Sequence, residues 1–236
     1  MAVRPIKLSF EGALGAQLSA RLDLPTGPVR AYALFAHCFT CSKDLTAARK
    51  IAQSLTMQGI GVLRFDFTGL GGSGGDFAST NFTSNLDDLK RAADFLRHEF
   101  AAPRLLIGHS LGGAEVLAVA DSVPEATAVA TIGAPADVEH VTHNFADYLE
   151  DIERDGQAEV SLSGRPFVIK KHFIDDLRAH NIEKSVGRLH KALLVLHAPL
   201  DQTVGIENAA RIFDAAKHPK SFVSLDSADH LLRDPD

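Results

Sequence analysis

The sequence predicts an α/β protein in which helices cover a mostly parallel sheet. Short apolar runs rich in β-branched residues alternate with longer segments in which apolar residues recur at helical spacing, and this alternation is typical of parallel sheets. The 236 residues are 45% hydrophobic and 23% charged, as in ordinary globular proteins. A chain of this length can bury a sizeable core, so we expect a single domain that spans residues 1–236.

Eight segments are predicted to form strands. These short apolar runs are residues 6–10, 17–24, 31–36, 61–65, 104–107, 126–132, 192–197 and 221–225. The short connection between the first two runs contains residues 11–15. Because this connection is too short for a crossover helix, the first two strands are expected to pair as an antiparallel hairpin.

Helices are expected in the longer connections, at residues 44–58, 85–100, 111–121 and 204–216. Ser42 or Asp44 is the expected N-cap of the first helix, because a short polar side chain can accept a hydrogen bond from the first turn. In the second helix Leu86, Leu89 and Ala93 recur at helical spacing. This pattern indicates an amphipathic helix that lies on the sheet.

Residues 136–190 interrupt the alternation of strands and helices. They contain a charged segment of helical character at 137–155, a hairpin at 159–169 that turns at 163–166, and a further helix at 172–180. Insertions of this length are often lids or binding loops. We therefore expect a small cap within the one domain rather than a second domain.

Charge and hydropathy exclude several classes of protein. The 24 Lys and Arg against 30 Asp and Glu give a net charge of −6, which provides no basic surface for nucleic acid. No run approaches the roughly 18 apolar residues of a membrane helix, and residues 1–12 lack the apolar core of a secretory signal. No membrane partner is therefore expected, and the expected compartment is the cytoplasm.

A nucleophile motif stands where the fifth predicted strand meets the following helix. Gly108, Ser110 and Gly112 form G-x-S-x-G, and a sharp strand-to-helix turn of this kind exposes the seryl oxygen above the sheet. A serine hydroxyl needs a base and a carboxylate that orients the base. His230 and Asp201 follow the last two predicted strands, so all three side chains are expected at the carboxyl edge of the sheet.

These placements predict a role for each group. Ser110 is the expected nucleophile, His230 the general base and then acid, and Asp201 the carboxylate that fixes the imidazole tautomer. Asp137, Asp226 and Asp229 also lie near strand ends and remain alternatives to Asp201.

The same chemistry requires an oxyanion hole and a pocket for the acyl group. The backbone N–H groups of Leu111 and of Phe39, in the loop after the third strand, are the expected oxyanion donors. Three aromatic residues of the insertion, Phe145, Phe167 and Phe173, could line an acyl pocket, although aromatic residues in helices and hairpins more often serve packing.

No metal or cofactor is expected. His140 and His143 lie near Asp137 and Glu139, but a fourth ligand at a convincing spacing is missing. Residues 69–74 match G-x-G-x-x-G, a dinucleotide-binding pattern. A polar loop follows them instead of a helix, so a turn is the better interpretation.

Five segments together carry a resemblance to a known superfamily: residues 37–44, residues 64–73, the strand-to-helix turn at Ser110, residues 197–201 and the pair Asp229–His230. Through them the chain resembles the α/β-hydrolase superfamily over nearly its whole length. The resemblance implies an eight-stranded sheet in the order 1-2-4-3-5-6-7-8, a small cap, and hydrolysis of carboxylic esters without a cofactor. Within the superfamily the chain is most similar to small esterases, and especially to hydrolase domains that precede an OsmC-like domain.

The chain departs from this superfamily in three places. Cys38 and Ala198 stand where the superfamily usually has glycine, and Asp236 lies only six residues beyond His230, where the fold normally adds a final helix. The resemblance therefore implies a shortened last helix, or a longer protein with a fused OsmC-like domain after residue 236.

Other functions remain open at this point. Cys38 and Cys41 form C-x-x-C, which can serve a thiol-redox or peroxide-response module, and their oxidation could lower hydrolase activity. Thioesterase or peptidase activity would use the same three side chains, and a non-catalytic binding domain could share the fold. The expected partner is a small-molecule ester, and the oligomeric state is left open.

Overall fold

An eight-stranded, mostly parallel sheet forms the centre of the protein in a computed structural model that describes residues 5–162 and 164–233. A separate two-stranded hairpin, formed by β7 and β8, lies in the insertion. The strands are β1 (Ile6–Glu11), β2 (Gln17–Asp23), β3 (Ala31–Ala36), β4 (Ile60–Phe65), β5 (Pro103–His109), β6 (Ala128–Ile132), β7 (Gln157–Leu162), β8 (Arg165–Lys170), β9 (Ala192–His197) and β10 (Lys220–Ser224).

The strand order in the large sheet is β1-β2-β4-β3-β5-β6-β9-β10. β1 pairs with β2 and β2 pairs with β4 in antiparallel fashion, whereas the remaining neighbours are parallel. Because β7 and β8 do not belong to this sheet, β9 and β10 are its seventh and eighth strands. The predicted fold class and sheet order are therefore confirmed.

Helices cover the sheet on both faces. They are α1 (Thr46–Met57), α2 (Phe82–Glu99), α3 (Leu111–Val119), α4 (Leu149–Asp155), α5 (Lys171–Arg178), α6 (Ile182–Gly187) and α7 (Glu207–Ala215). Successive residues of one strand face opposite sides: in β3, Phe35 packs with α1, while Leu34 belongs to the core beneath α2 and α3. The two-sided burial explains why the central strands are almost continuously apolar.

The helix starts differ from the sequence prediction. The N-cap of α1 is Leu45, which has no capping side chain, because Asp44 instead pairs with Arg21 at 2.8 Å. In α2 the helix begins three residues earlier than predicted. There Asn81 and Ser84 form a reciprocal capping box that satisfies two backbone N–H groups of the first turn.

The insertion between β6 and β9 contains the hairpin that the sequence predicts, together with helices on either side of it. Its first segment, Val138–Tyr148, is mainly 3₁₀ helix and continues into α4. Ser163, the first residue of the predicted turn, lies outside the described residues. The short helix α6, which was not predicted from the sequence, has Asn181 as its N-cap, whose side chain accepts a hydrogen bond from the N–H of Lys184.

The face of the sheet that carries α1 also contains an apolar groove. Its volume is about 960 Å³, and it is lined by side chains that include Leu105, Ala130, Leu194, Leu225 and Leu232. After β10, residues 225–233 form turns rather than a helix. Residues 234–236 lie outside the described residues.

Within the described part of the chain, every helix is too short or too polar to cross a membrane.

A buried carboxylate joins three parts of the fold near the amino-terminal hairpin. Asp88 of α2 is 1% exposed and accepts hydrogen bonds from the N–H of Ala13 at 2.9 Å, the N–H of Thr68 at 3.0 Å and the hydroxyl of Thr68 at 2.8 Å. Three donors therefore depend on one side chain. Losing it would leave buried polar groups without partners.

Replacing Asp88 with Ala is expected to lower the free energy of unfolding by about 3 kcal/mol, because these donors lose their acceptor. Urea unfolding monitored by circular dichroism would measure the change. The matched control is Asp87→Ala: Asp87 is about half exposed and forms an ion pair with Lys90 on the surface of the same helix, so a change within about 0.5 kcal/mol is expected. Equal effects of the two substitutions would contradict this account.

Candidate active site

The site is built around a sharp turn between β5 and α3. Ser110 has φ 55° and ψ −126°, a backbone conformation that residues with a side chain rarely adopt. Its N–H donates to the carbonyl oxygen of Ile132 at 2.8 Å, which ties the turn to the neighbouring strand. Strain of this kind persists where the surrounding structure enforces it.

Glycines permit the close packing on which this turn depends. A Cβ atom on Gly108 would overlap the carbonyl oxygen of Gly112, and a Cβ on Gly112 would lie 2.5 Å from the carbonyl oxygens of Ala36 and His37. The first turn of α3 therefore rests directly on the backbone at the end of β3. The same contact brings Ser110 next to the loop that follows β3.

The three side chains selected from the sequence meet at the carboxyl edge of the sheet. His230 Nε2 lies 2.9 Å from Ser110 Oγ, and His230 Nδ1 lies 2.7 Å from Asp201 Oδ2. The side chains of His230 and Asp201 are only 10% and 1% exposed. Both hydrogen bonds are therefore largely shielded from water, which strengthens them.

The environment of Asp201 keeps its carboxylate ionised. Burial alone would raise its pKa, but the hydrogen bond from His230 and those from the N–H groups of Val204 and Thr203 lower the pKa overall. An ionised carboxylate only accepts hydrogen bonds. His230 must therefore carry a proton on Nδ1, which leaves the lone pair of Nε2 facing the hydroxyl of Ser110.

The alternative carboxylates have other partners. Asp229 pairs with Arg233, Asp226 accepts from the hydroxyl of Ser224, and Asp137 accepts from the N–H of Glu139. Among these four carboxylates, only Asp201 contacts His230.

His109, the residue before Ser110, holds the backbone of His230. Its Nε2 lies 2.7 Å from the carbonyl oxygen of His230, and since a carbonyl oxygen only accepts, Nε2 must carry the proton. Burial lowers the pKa of His109 to about 4, with the nearby His230 as a second cause, so this imidazole is neutral near pH 7. The motif contains His109, but the sequence did not indicate which group it would contact.

The loop after β3 forms a tight turn closed by a disulfide bond. The N–H of Cys41 donates to the carbonyl oxygen of Cys38 at 3.0 Å, and Cys38 and Cys41 are joined through their sulfur atoms. Phe39 lies inside this turn. Neither its backbone N–H nor that of Leu111 has an acceptor among the described residues, so both remain free to bind an oxyanion.

Buried charges hold this loop against the loop after β4. Asp66 is fully buried and accepts from the backbone N–H of Lys43 at 2.6 Å, from its ammonium group at 2.5 Å, and from the N–H of Gly72 at 2.8 Å. From the insertion, the guanidinium of Arg165 donates to the carbonyl oxygen of Thr40. The segment that contains Phe39 is therefore anchored on both sides.

A cavity of about 220 Å³ opens beside Ser110. It is lined by Cys38, Phe39, Thr40, Cys41, Ser110, Asn144, Ser161, Leu162, Thr203, His230 and Leu231. The insertion contributes Asn144, Ser161 and Leu162, so it forms part of the wall. None of these residues is acidic, and the lining is about as polar as it is apolar in character.

The three phenylalanines expected to line an acyl pocket do not line this cavity. Phe145 and Phe173 are buried and pack against Phe39 with ring centroids 6.5 Å and 5.7 Å away. Phe167 packs against Phe77 at 4.8 Å. These rings bury large apolar surfaces against one another. Phe145 and Phe173 thereby support the ring of Phe39 directly, and Phe167 supports it through Phe77.

Within residues 5–162 and 164–233, no group of three or more His, Cys, Asp or Glu side chains is arranged to hold a metal ion. His140 and His143 pack edge to face with their ring centroids 4.6 Å apart, and His140 Nε2 donates to the carbonyl oxygen of Thr203 at 2.5 Å. His140 therefore connects the insertion to the loop that carries Asp201.

Comparisons with known proteins place the chain in a family. The sequence profile of the family described as Serine aminopeptidase, S33 matches residues 27–153. The crystal structure of the esterase domain from a Rhodothermus marinus protein is 51% identical in sequence and has a TM-score of 0.79, and the match covers 98% of this chain and 92% of that chain.

More distant proteins are also similar. Est1E from Butyrivibrio proteoclasticus, in a structure with ferulic acid bound, shares the fold at 19% identity, with a TM-score of 0.80 over 96% of this chain and 92% of that chain. The uncharacterized protein YfhR of Escherichia coli O157:H7 is 24% identical over 210 residues, which is 87% of this chain but only 66% of that protein. These comparisons do not bear out the resemblance to hydrolase domains that precede an OsmC-like domain.

Replacing Gly112 with Ala is expected to lower the free energy of unfolding by about 2 kcal/mol, because the new methyl group would push α3 away from the end of β3. The matched control is Gly187→Ala in α6, where the nearest atom to a new Cβ is 3.8 Å away and stability should stay equal or rise slightly. Urea unfolding of both variants measures the difference. An unchanged stability of the Gly112 variant would refute the close contact.

Proposed function

Because the chain belongs to the α/β-hydrolase family described as Serine aminopeptidase, S33, we propose that it is a serine hydrolase that cleaves small carboxylic esters through an acyl-enzyme intermediate. The observation that carries the proposal is the continuous hydrogen-bonded series from Asp201 through His230 to Ser110, with distances of 2.7 Å and 2.9 Å. Nucleophile, base and orienting carboxylate stand in the order that acyl transfer requires.

In the acylation step, His230 Nε2 takes the proton of Ser110 as Oγ attacks the ester carbonyl carbon. The carbonyl electron pair moves to oxygen, and the N–H groups of Phe39 and Leu111 stabilise the resulting oxyanion. The tetrahedral intermediate then collapses. The bond to the leaving alcohol breaks, and the imidazolium of His230 donates its proton to the alkoxide.

In the deacylation step, a water molecule replaces the alcohol. His230 takes a proton from this water as it attacks the acyl-enzyme carbonyl, the same two N–H groups stabilise the second oxyanion, and Ser110 recovers its proton as the acid leaves. Asp201 stays ionised throughout and stabilises the imidazolium that forms twice in each cycle.

The cavity favours esters over peptides with a free amino terminus. A carboxylate is a strong hydrogen-bond partner for a protonated amino group, and the residues that line the cavity include no Asp or Glu. The similarity to an esterase domain at 51% identity points in the same direction. Thioesters would use the same machinery and remain a second substrate class for this site.

Replacing Ser110 with Ala is expected to reduce turnover of p-nitrophenyl acetate at least about a thousandfold, because no nucleophile remains. A fluorophosphonate probe should label the wild-type protein at Ser110, as located by peptide mass spectrometry. The matched control is Ser54→Ala, an exposed serine of α1, which should leave both turnover and labelling unchanged. Wild-type turnover in the Ser110 variant, with the fold intact by circular dichroism, would disprove the proposal.

The volume of the cavity sets the expected acyl preference. In a series of p-nitrophenyl esters, kcat/KM should be highest for acetate and butyrate and should fall steeply for octanoate and palmitate. Leu162→Ala removes a buried wall of the cavity and should move the optimum towards longer chains, whereas Leu200→Ala, at a side chain that is 71% exposed, should not. A flat profile, or a preference of the wild type for palmitate, would contradict the assignment of this cavity.

A further inference from the structure

We infer that the Cys38–Cys41 disulfide holds the oxyanion donor Phe39 N–H in position, and that a dithiol reductant lowers the hydrolase activity by opening this disulfide. The inference rests on the proposed function and adds a regulatory input to the same site. The expected effect of oxidation on activity is the opposite of the one suggested by the sequence, where oxidation of Cys38 and Cys41 could lower hydrolase activity.

The peptide bond between Cys38 and Phe39 contains the group that must be oriented. In a trans peptide the carbonyl and the N–H point in opposite directions, so fixing the oxygen of Cys38 also fixes the N–H of Phe39. That oxygen accepts from the N–H of Cys41 at 3.0 Å and from Nδ1 of His37 at 2.8 Å. One of these two bonds exists only while the turn is closed.

The closed turn contains a strained residue. Thr40 has φ 57°, and for a β-branched side chain this left-handed conformation is a genuine outlier that costs roughly 1–2 kcal/mol. Residues at this place in such turns are usually glycine or asparagine. The turn therefore tends to open, and the cross-link between its first and last residues opposes that tendency.

Other contacts hold the residues around the turn in place but do not join its first residue to its last. The ring of Phe39 packs against Phe173 at 5.7 Å, and Lys43 is fixed by Asp66 beyond the end of the turn. Arg165 holds the carbonyl oxygen of Thr40. With the disulfide open, these anchors keep the loop near the site. The oxygen of Cys38 then keeps the bond from His37 but loses the bond from the N–H of Cys41, so the N–H of Phe39 is no longer firmly aimed at the substrate.

The disulfide can be reached through the active-site cavity, whose lining includes both cysteines. Cys38 is 4% exposed, whereas Cys41 is partly exposed. One thiolate of the reductant attacks Cys41 Sγ, the sulfur–sulfur bond breaks, and Cys38 leaves as a thiolate that takes up a proton. The second thiolate of the reductant then displaces Cys41, so two electrons pass to the protein and the reductant becomes a cyclic disulfide.

The test compares the oxidised and reduced forms of the same protein. Dithiothreitol reduces the sample, anaerobic desalting removes it so that no free reductant hydrolyses the substrate, and intact mass confirms each state. We expect reduction to lower kcat for p-nitrophenyl acetate by at least about tenfold, with little change in KM, because complete loss of one oxyanion donor costs about a hundredfold to a thousandfold and a misaligned donor costs part of that. Reoxidation should restore kcat.

The double variant Cys38→Ser with Cys41→Ser separates redox control from other effects of the reductant. It should have the low kcat of the reduced wild type, and dithiothreitol should not change it. Urea unfolding of both wild-type forms and of the variant checks that all are folded at the assay temperature. Equal kcat in the oxidised and reduced wild type, or a higher kcat after reduction, would overturn the inference.

The outcomes also distinguish this inference from the proposed function. Oxidised wild-type protein that neither turns over esters nor reacts with a fluorophosphonate at Ser110 would refute the proposed function, and the inference with it. Oxidised protein that labels at Ser110 and turns over esters, but does so equally after reduction, would refute the inference alone.

Discussion

The whole site depends on the close contact between the first turn of α3 and the end of β3. Gly112 lies against the carbonyl oxygens of Ala36 and His37, at a distance that no residue with a Cβ could reach without displacing the backbone. This contact fixes the distance between two segments that are remote in sequence, the Ser110 turn and the loop around Phe39. Because the proposed oxyanion donors come one from each segment, their separation is set by backbone packing rather than by flexible side chains, which is the preorganisation that acyl transfer needs.

Three buried histidines of the site each donate a hydrogen bond to a backbone carbonyl oxygen in a loop. His37 donates to the carbonyl oxygen of Cys38, His109 to that of His230, and His197 to that of Val204. Each therefore holds one of the loops that carry the proposed oxyanion donor, base and carboxylate. Each also has a second ring nitrogen that is buried without a partner among the described residues. For His37 and His109, burial lowers the pKa of the imidazole, so both stay neutral donors and add no competing charge beside His230.

The sequence predicted those features that repeat or that have a local signature. The strands followed from apolar runs between turn residues, and the Ser110 turn from its glycines together with the strand before it and the helix after it. The start of α1 was not predictable, because Asp44 forms an ion pair with Arg21 of β2 instead of capping the helix. Likewise Phe145 and Phe173 became support for Phe39 instead of lining a pocket, a choice that depends on how the insertion folds over the sheet. The disulfide forms because the turn at Thr40 brings Cys38 and Cys41 together. The C-x-x-C spacing alone does not show whether the two cysteines are bonded to each other or free.

The hydrogen bond from His109 to the backbone of His230 has a consequence for how this site can change. The proposed base is held by the residue that immediately precedes the proposed nucleophile, so the elbow itself helps to fix the distance between them. The turn between β10 and His230 can then differ in composition without altering the proposed path of the proton, provided that the carbonyl oxygen of His230 still reaches His109. The part of the cavity wall that the insertion contributes, Asn144, Ser161 and Leu162, lies outside that path, so the shape of the cavity can change there while the proposed proton transfer stays the same.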